Sequence, residues 1–235
     1  MSSAKMSSSS AGPTRSKLSL KGSSKLVAEF FEYSIHSILF QRGIYPPEDF
    51  QVVKKYGLNM LVSVDEDVKT YIRRIMSQLN KWVVGSKISK LVVAIVSLDS
   101  AEVVERWQFD IEVFSKASGS KKSSSSSADK ENAAPKASKQ TSDDAHGDKT
   151  IDEIQQEIQA IIRQITASVT FLPVLEGRHT FNVLVYADGD TQAPSEWIDS
   201  DPKEIQNAEQ VKLRSFSTAS HKVDTMVAYR LGTAE

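Results

Sequence analysis

Few side chains in this sequence are typed and spaced for chemistry. Asp65, Glu66 and Asp67 form the densest acid cluster, and adjacent carboxylates can share a proton or hold a cation. Their setting argues for a plainer role. They open a run of apolar residues at helical spacing, where carboxylates favour the positive end of the helix dipole. Asp188-Gly189-Asp190 offers two carboxylates to a cation, but that composition equally makes a turn. His36, His146, His179 and His221 are scattered, and none falls in a ligand spacing such as His-Glu-x-x-His. With no cysteine there is no thiol nucleophile, no thiolate metal site and no disulfide. No glycine-rich phosphate loop and no G-x-S-x-G occur. The residues predict neither an enzyme, a cofactor nor a metal site.

The elements that would position any binding side chains are easier to read. The chain has 235 residues, 40% hydrophobic and 25% charged, enough for one good core. Its net charge of −1 gives no global case for nucleic acid or an anionic membrane. No apolar leader is visible, and the longest plain apolar run, residues 91–96, is far short of a membrane span. A soluble intracellular protein is expected.

Residues 1–17 are mostly Ser, Lys and Ala, and residues 115–148 contain no large apolar side chain that could repay their chain entropy. They are expected to be a disordered extension and a disordered loop of one domain, 18–235, although the loop also has the composition of a linker. Between them, Leu26, Val27, Phe30, Phe31, Ile35, Ile38 and Leu39 recur at helical spacing, ended by Gly43, Pro46 and Pro47. A second helix is expected after Ser63-x-x-Glu66 and a third after Thr150-x-x-Glu153, both capping-box patterns. Strands are expected over 91–96, over 107–113 and over 181–187. In the second of these, Trp107, Phe109, Ile111 and Val113 alternate with polar residues, so one buried face is predicted. From about Asp188 the pattern weakens into turn-rich sequence followed by short strand-like pieces at 211–216 and 223–231. The pattern predicts an α+β domain, three helices on a largely antiparallel sheet.

Long strings carry a resemblance. They are LVAEFFEYSIHSILFQRGIYPPEDF (26–50), KYGLNMLV (55–62), EVVERWQFDIE (102–112), IIRQITASVTFLPVLE (161–176) and VKLRSFSTASHKVDTMVAY (211–229). In this order they closely resemble the spindle assembly checkpoint HORMA family over residues 18–235. The N-terminal extension and the Ser/Lys loop are longer here than in that family. The resemblance implies a HORMA domain whose mobile C-terminal safety belt, 188–235, has two stable positions. In the open state the belt occupies the sheet edge. In the closed state it crosses to the other side and traps a peptide that adds a strand to the vacated edge, a mode in which backbone pairing supplies affinity.

The implied partners are a coiled-coil kinetochore checkpoint receptor and the activator of the anaphase-promoting complex. A second copy in the other conformer, and an AAA+ remodelling ATPase with its HORMA adaptor, are implied as well. Sequestering the activator delays anaphase, and the implied location is nucleus and cytoplasm, with kinetochores in mitosis. Alternatives are a meiotic or DNA-repair HORMA adaptor, or a nucleic-acid-binding protein acting through its basic segments.

Arg163 and Gln164 lie off the isoleucine face of the third helix, which by itself reads as a solvated surface. The resemblance assigns them, with Phe171 and Arg214, to a contact between open and closed conformers. It assigns Trp82, otherwise a core residue, to the belt's underside. With Trp82 it assigns Phe181, Val183, Val185, Phe216, His221, Val223 and Tyr229 to the peptide clasp and belt, His221 helping to hold the closed hairpin. Ser215, Ser217 and Thr225 are candidate phosphorylation sites, since phosphate on a segment that must pack would shift the conformers. Lys130-Glu131-Asn132 spells a KEN box, a degron string that a Lys- and Ser-rich loop also produces by chance.

Overall fold

The computed structural model describes residues 18–114 and 149–231. Helix α1 (Leu20–Gln41) begins where the Ser19 hydroxyl accepts from the Gly22 N–H at 3.1 Å. It ends where Gly43, at φ +61, takes the left-handed turn and Ile44 N–H closes on the Leu39 carbonyl. It thus starts a turn and a half before the apolar spacing, because Ser23 and Ser24 are themselves buried.

A hairpin follows, β1 (Phe50–Lys55) and β2 (Leu58–Ser63), paired only with each other. Its two-residue turn, Tyr56-Gly57, has φ +49 and +67, the positive dihedrals of a hairpin turn that follows the strand twist. Helix α2 (Glu66–Val84) is capped by Asp65, whose carboxylate accepts from the Asp67 and Val68 N–H groups. This corrects the expected Ser63 cap: Ser63 is the last residue of β2, and its hydroxyl instead accepts from the Asp65 N–H. Glu66 and Asp67 fill the first turn as expected. Helix α3 (Ile151–Ala167) carries the full Thr150/Glu153 capping box and buries Ile154, Ile158, Ile161, Ile162 and Ile165.

The remaining strands are β3 (Ile88–Ser97), β4 (Val103–Val113), β5 (His179–Ala187), β6 (Glu209–Lys212), β7 (Phe216–Ser217) and β8 (His221–Tyr229). They form a six-stranded sheet ordered β5-β3-β4-β8-β6, with β7 also on β8 and every pairing antiparallel. The core lies between the helices and one face of this sheet. At its centre Phe30 and Phe31 of α1 meet Phe109 of β4 and Phe216 of β7 at centroid distances of 4.9–5.7 Å. Each such ring contributes roughly 2–3 kcal/mol on burial.

Leu91, Val92, Val93, Ala94 and Ile95 of β3 are all fully buried, so both faces of that strand are covered, as its sequence predicts. Strand β4 differs from expectation. Trp107 and Phe109 face the core, but Arg106 and Gln108 on the opposite face are only 6% and 8% exposed. Arg106 is met by Tyr186 of β5 and by Pro202 of the chain between β5 and β6, and Gln108 by Arg106 and Asp110.

Candidate peptide-capture site

Strand β5 is hydrogen-bonded on one side only. It pairs with β3 from His179↔Ser97 to Ala187↔Ile88, and among the described residues no strand pairs its outer edge. Phe181 anchors it from the core side, packed edge-on against Tyr71 of α2 at 5.6 Å and near Tyr45 at 6.3 Å. Val183 and Val185 pack on the core from the same face. Tyr71 is 42% exposed and leans over this edge. Burial pushes its hydroxyl pKa up, and the Val183 backbone opposes that by hydrogen bonding to it.

Beyond the edge, the chain loops out and returns. Asp188 N–H closes on the Lys87 carbonyl, and the Lys87 ammonium meets Asp190 at 3.0 Å, fixing the departure point beside the end of α2. Trp197 then packs edge-on against Trp82 of α2, centroids 4.9 Å apart. Between α2, the β5 edge and this returning segment lies a cavity of about 820 Å³. Its walls include Tyr71 and Gln78 of α2, Val183 and Leu184 of β5, and Trp197 and Lys203 of the loop. An open strand edge presents unpaired backbone donors and acceptors, a template for another strand. Here that template faces a roofed channel.

After Trp197 the chain crosses the sheet face away from the helices. There Arg106 Nε points at the Pro202 carbonyl (3.4 Å) and Arg106 Nη2 donates to Tyr186 Oη (3.1 Å), while Tyr186 Oη also points at Pro202 (3.4 Å). The chain then enters the sheet at the far side, where β8 runs antiparallel to β4 from His221↔Val113 to Tyr229↔Glu105. Phe216, His221 and Val223 are at most 1% exposed and Tyr229 9%. His221 anchors the start of β8 to α1: Ser23 Oγ lies 2.6 Å from its Nδ1 and 2.5 Å from Thr218 Oγ1. Burial lowers the His221 pKa, opposed by the Val83 backbone. The segment thus encircles the cavity and lodges at the sheet edge opposite β5, the arrangement that the resemblance assigns to a closed belt.

A second group gathers at α3. Arg163 and Arg214 are exposed, and the Gln164 carboxamide oxygen accepts from the Arg214 N–H at 2.7 Å, so three of the four positions assigned to conformer contact adjoin. Phe171, 40% exposed, has its ring against Tyr229 at 6.3 Å. Among the phosphorylation candidates Ser215 is exposed, while Thr225 is buried and accessible only if the belt lifts. The Ser217 hydroxyl accepts from Lys149, and its N–H donates to Glu157. Lys130, Glu131 and Asn132 lie outside the described residues, as do residues 1–17 and most of the basic segments that raised the nucleic-acid reading. His36 is buried beside β2, where its Nδ1 accepts from the Ser63 N–H (3.3 Å) and its pKa falls to about 4 through burial and nearby Lys69.

Sequence reasoning missed Ser23, Thr218, Arg106, Tyr186 and Trp197. For Trp197 there was a signal, a large aromatic stranded in turn-rich sequence. For Arg106 there was none, since its neighbour Pro202 is far along the chain.

The site and fold define an α+β domain in which a C-terminal strap passes around an open strand edge. Comparison with known proteins agrees with that class. The model of the HORMA domain matches residues 23–221. The mitotic spindle checkpoint component mad2 of Schizosaccharomyces pombe is 56% identical over 222 residues, 93% of this chain and 97% of that protein. The human mitotic spindle assembly checkpoint protein MAD2A is 44% identical over 214 residues, 91% and 93% of the two chains. The chain belongs to the HORMA domain family, in its branch of mitotic spindle checkpoint components. Among solved structures, a chain of a mitotic checkpoint complex superposes with a TM-score of 0.73 at 55% identity, covering 89% of this chain and 99% of that one. The C. elegans protein HTP-2 bound to a HIM-3 closure motif shares the fold, with a TM-score of 0.64 at 13% identity.

Proposed function

We propose that this protein is a spindle assembly checkpoint adaptor, not an enzyme, that captures an extended peptide as a new strand on the outer edge of β5 and retains it under the belt. The observation that carries this reading is the pairing pattern: β6, β7 and β8 occupy the β4 side, while among the described residues no strand pairs the outer edge of β5 beside the roofed cavity. A strand added there gains main-chain hydrogen bonds with modest demands on side chains. Likeness to checkpoint components and to a chain of a mitotic checkpoint complex supports the biological setting.

The clients in this reading are a coiled-coil kinetochore receptor and the activator of the anaphase-promoting complex, whose retention delays anaphase. The protein acts at kinetochores in mitosis and otherwise resides in nucleus and cytoplasm. The belt moves between two sites, and the cluster of Arg163, Gln164, Phe171 and Arg214 pairs a closed copy with an open one. Returning the closed form to the open form requires lifting β8 from a full-length ladder, work suited to an AAA+ ATPase with a HORMA adaptor.

The test is titration of a peptide from the checkpoint receptor into the purified protein, followed by Trp fluorescence and amide hydrogen exchange. Trp82 and Trp197 line the belt and report capture, whereas Trp107 is fully buried in the core. New protection along 179–187 with slow release is the expected result. Absence of any peptide-dependent protection on β5 overturns the reading.

A further inference from the structure

The sheet face away from the helices carries a buried charge that the core does not need. Arg106 and Gln108 sit 6% and 8% exposed on β4. Burying a guanidinium is costly unless its donors are met, and here they are met along a chain of side chains that ends on the belt. Asp110 accepts both contacts of the Gln108 amide nitrogen, at 2.9 and 2.8 Å, which turns the Gln108 carbonyl oxygen toward Arg106 Nη1. The guanidinium is then aimed across the sheet, with Nη2 on Tyr186 Oη and Nε toward the Pro202 carbonyl. Tyr186 Oη approaches the same carbonyl from β5 at 3.4 Å. Lys90 of β3 completes the patch, 5.0 Å over the Tyr186 ring and 3.6 Å from Asp110.

We propose that Arg106 and Tyr186 are positioning residues that latch the crossing segment of the belt through the Pro202 carbonyl and so set how long a captured peptide stays. Two donors from different strands converge on one belt acceptor, at the point where the segment must be held down to close the ring. Releasing the latch hydrates Arg106 and Gln108 together with the apolar Val92 and Ala94 beside them on the same face, while the side chains between sheet and helices stay covered. The inference rests on the clasp reading above.

The test compares the wild type with Tyr186→Phe, Arg106→Met, Arg106→Lys and the Phe/Met double variant. The readouts are hydrogen exchange of residues 196–208 in the empty protein and dissociation of the receptor peptide. Belt exchange and peptide dissociation are expected to accelerate about tenfold in Arg106→Met and about threefold in Tyr186→Phe, with association within about twofold of wild type. Arg106→Lys falls between, and the double variant shows less than the product of the singles because both groups serve one carbonyl. The proposal is overturned if folded variants keep wild-type belt exchange and dissociation, or if acceleration spreads equally to β3 and β4, which marks a structural role. Should Arg106→Met fail to fold, Tyr186→Phe, which removes one hydroxyl, decides alone. If wild type captures no peptide the clasp reading fails, yet belt exchange in the empty protein still judges the latch.

Discussion

Arg42 Nε donates to the Glu105 carboxylate at 2.7 Å with both side chains almost fully buried, joining the end of α1 to the middle sheet. The same guanidinium donates to the Pro173 carbonyl after α3, and Trp107 Nε1 donates to the other Glu105 oxygen at 3.2 Å. Burial raises the Glu105 pKa more than Arg42 and Trp107 lower it, so desolvation is the larger effect. A pair of this kind gives little net stability over apolar replacements, but removing one partner strands the other.

Glu105→Ala and Arg42→Ala should therefore each cost about 3–5 kcal/mol, whereas the double variant Arg42→Met/Glu105→Leu should lose far less than their sum, the remainder coming from the Trp107 N–H and the Pro173 carbonyl left without partners. Urea denaturation of the four proteins checks this, and additive losses in the double would refute it.

Acid should loosen the protein through its histidines. His36 and His221 are buried with pKa values lowered, His36 to about 4, while an unfolded histidine titrates near 6.5. The unfolded state therefore takes up protons first. The stabilisation is complete above about pH 6.5 and falls away between there and about 4, by up to about 3 kcal/mol for His36. Stability measured from pH 7.5 to 4.5 should decline less in His36→Gln. For His221→Gln, the acid-induced rise in hydrogen exchange of 216–229 should be blunted.

Trp197→Ala removes the belt's aromatic contact with Trp82. The half-buried ring should cost the closed arrangement about 2 kcal/mol, seen as faster exchange over 188–208 and faster peptide release while α2 and β3 keep their protection. Equal protection of the belt in variant and wild type would argue that the ring contact carries no weight.

Arg163→Glu places an acid on the exposed face of α3 beside Arg214 and away from the peptide cavity. Pairing of copies should be lost with peptide affinity unchanged within about twofold. Sedimentation of the peptide-loaded protein mixed with empty protein measures the first, and titration the second.

Thr225→Glu forces a charge into a position 3% exposed on β8, opposite the buried Phe109 in the ladder. The belt strands should lose protection in that variant, and Thr225→Val should not show this effect.

By itself the sequence determined the apolar faces of α1, α2 and α3, the Thr150/Glu153 cap and the strands β3 to β5, because periodicity and capping are local signals. It also announced the belt, as a tail apolar enough to pack yet poorly punctuated. The hairpin β1–β2 escaped notice because Tyr56-Gly57 is a less common turn pair than Asn-Gly, and both strands are mostly half-exposed. Asp65 displaced Ser63 as a cap because β2 takes in Ser63 as its last residue and α2 starts only at Glu66. Only the tertiary structure decided which sheet edge the tail occupies. A period of two tells a strand which side chains face the core, and it is the same whichever strand lies beside it. The ladder itself is backbone, so residues 209–229 carry no mark naming β4 rather than β5 as their neighbour. The burial of Arg106 follows from that choice, since the belt reaches β4 only by crossing over it.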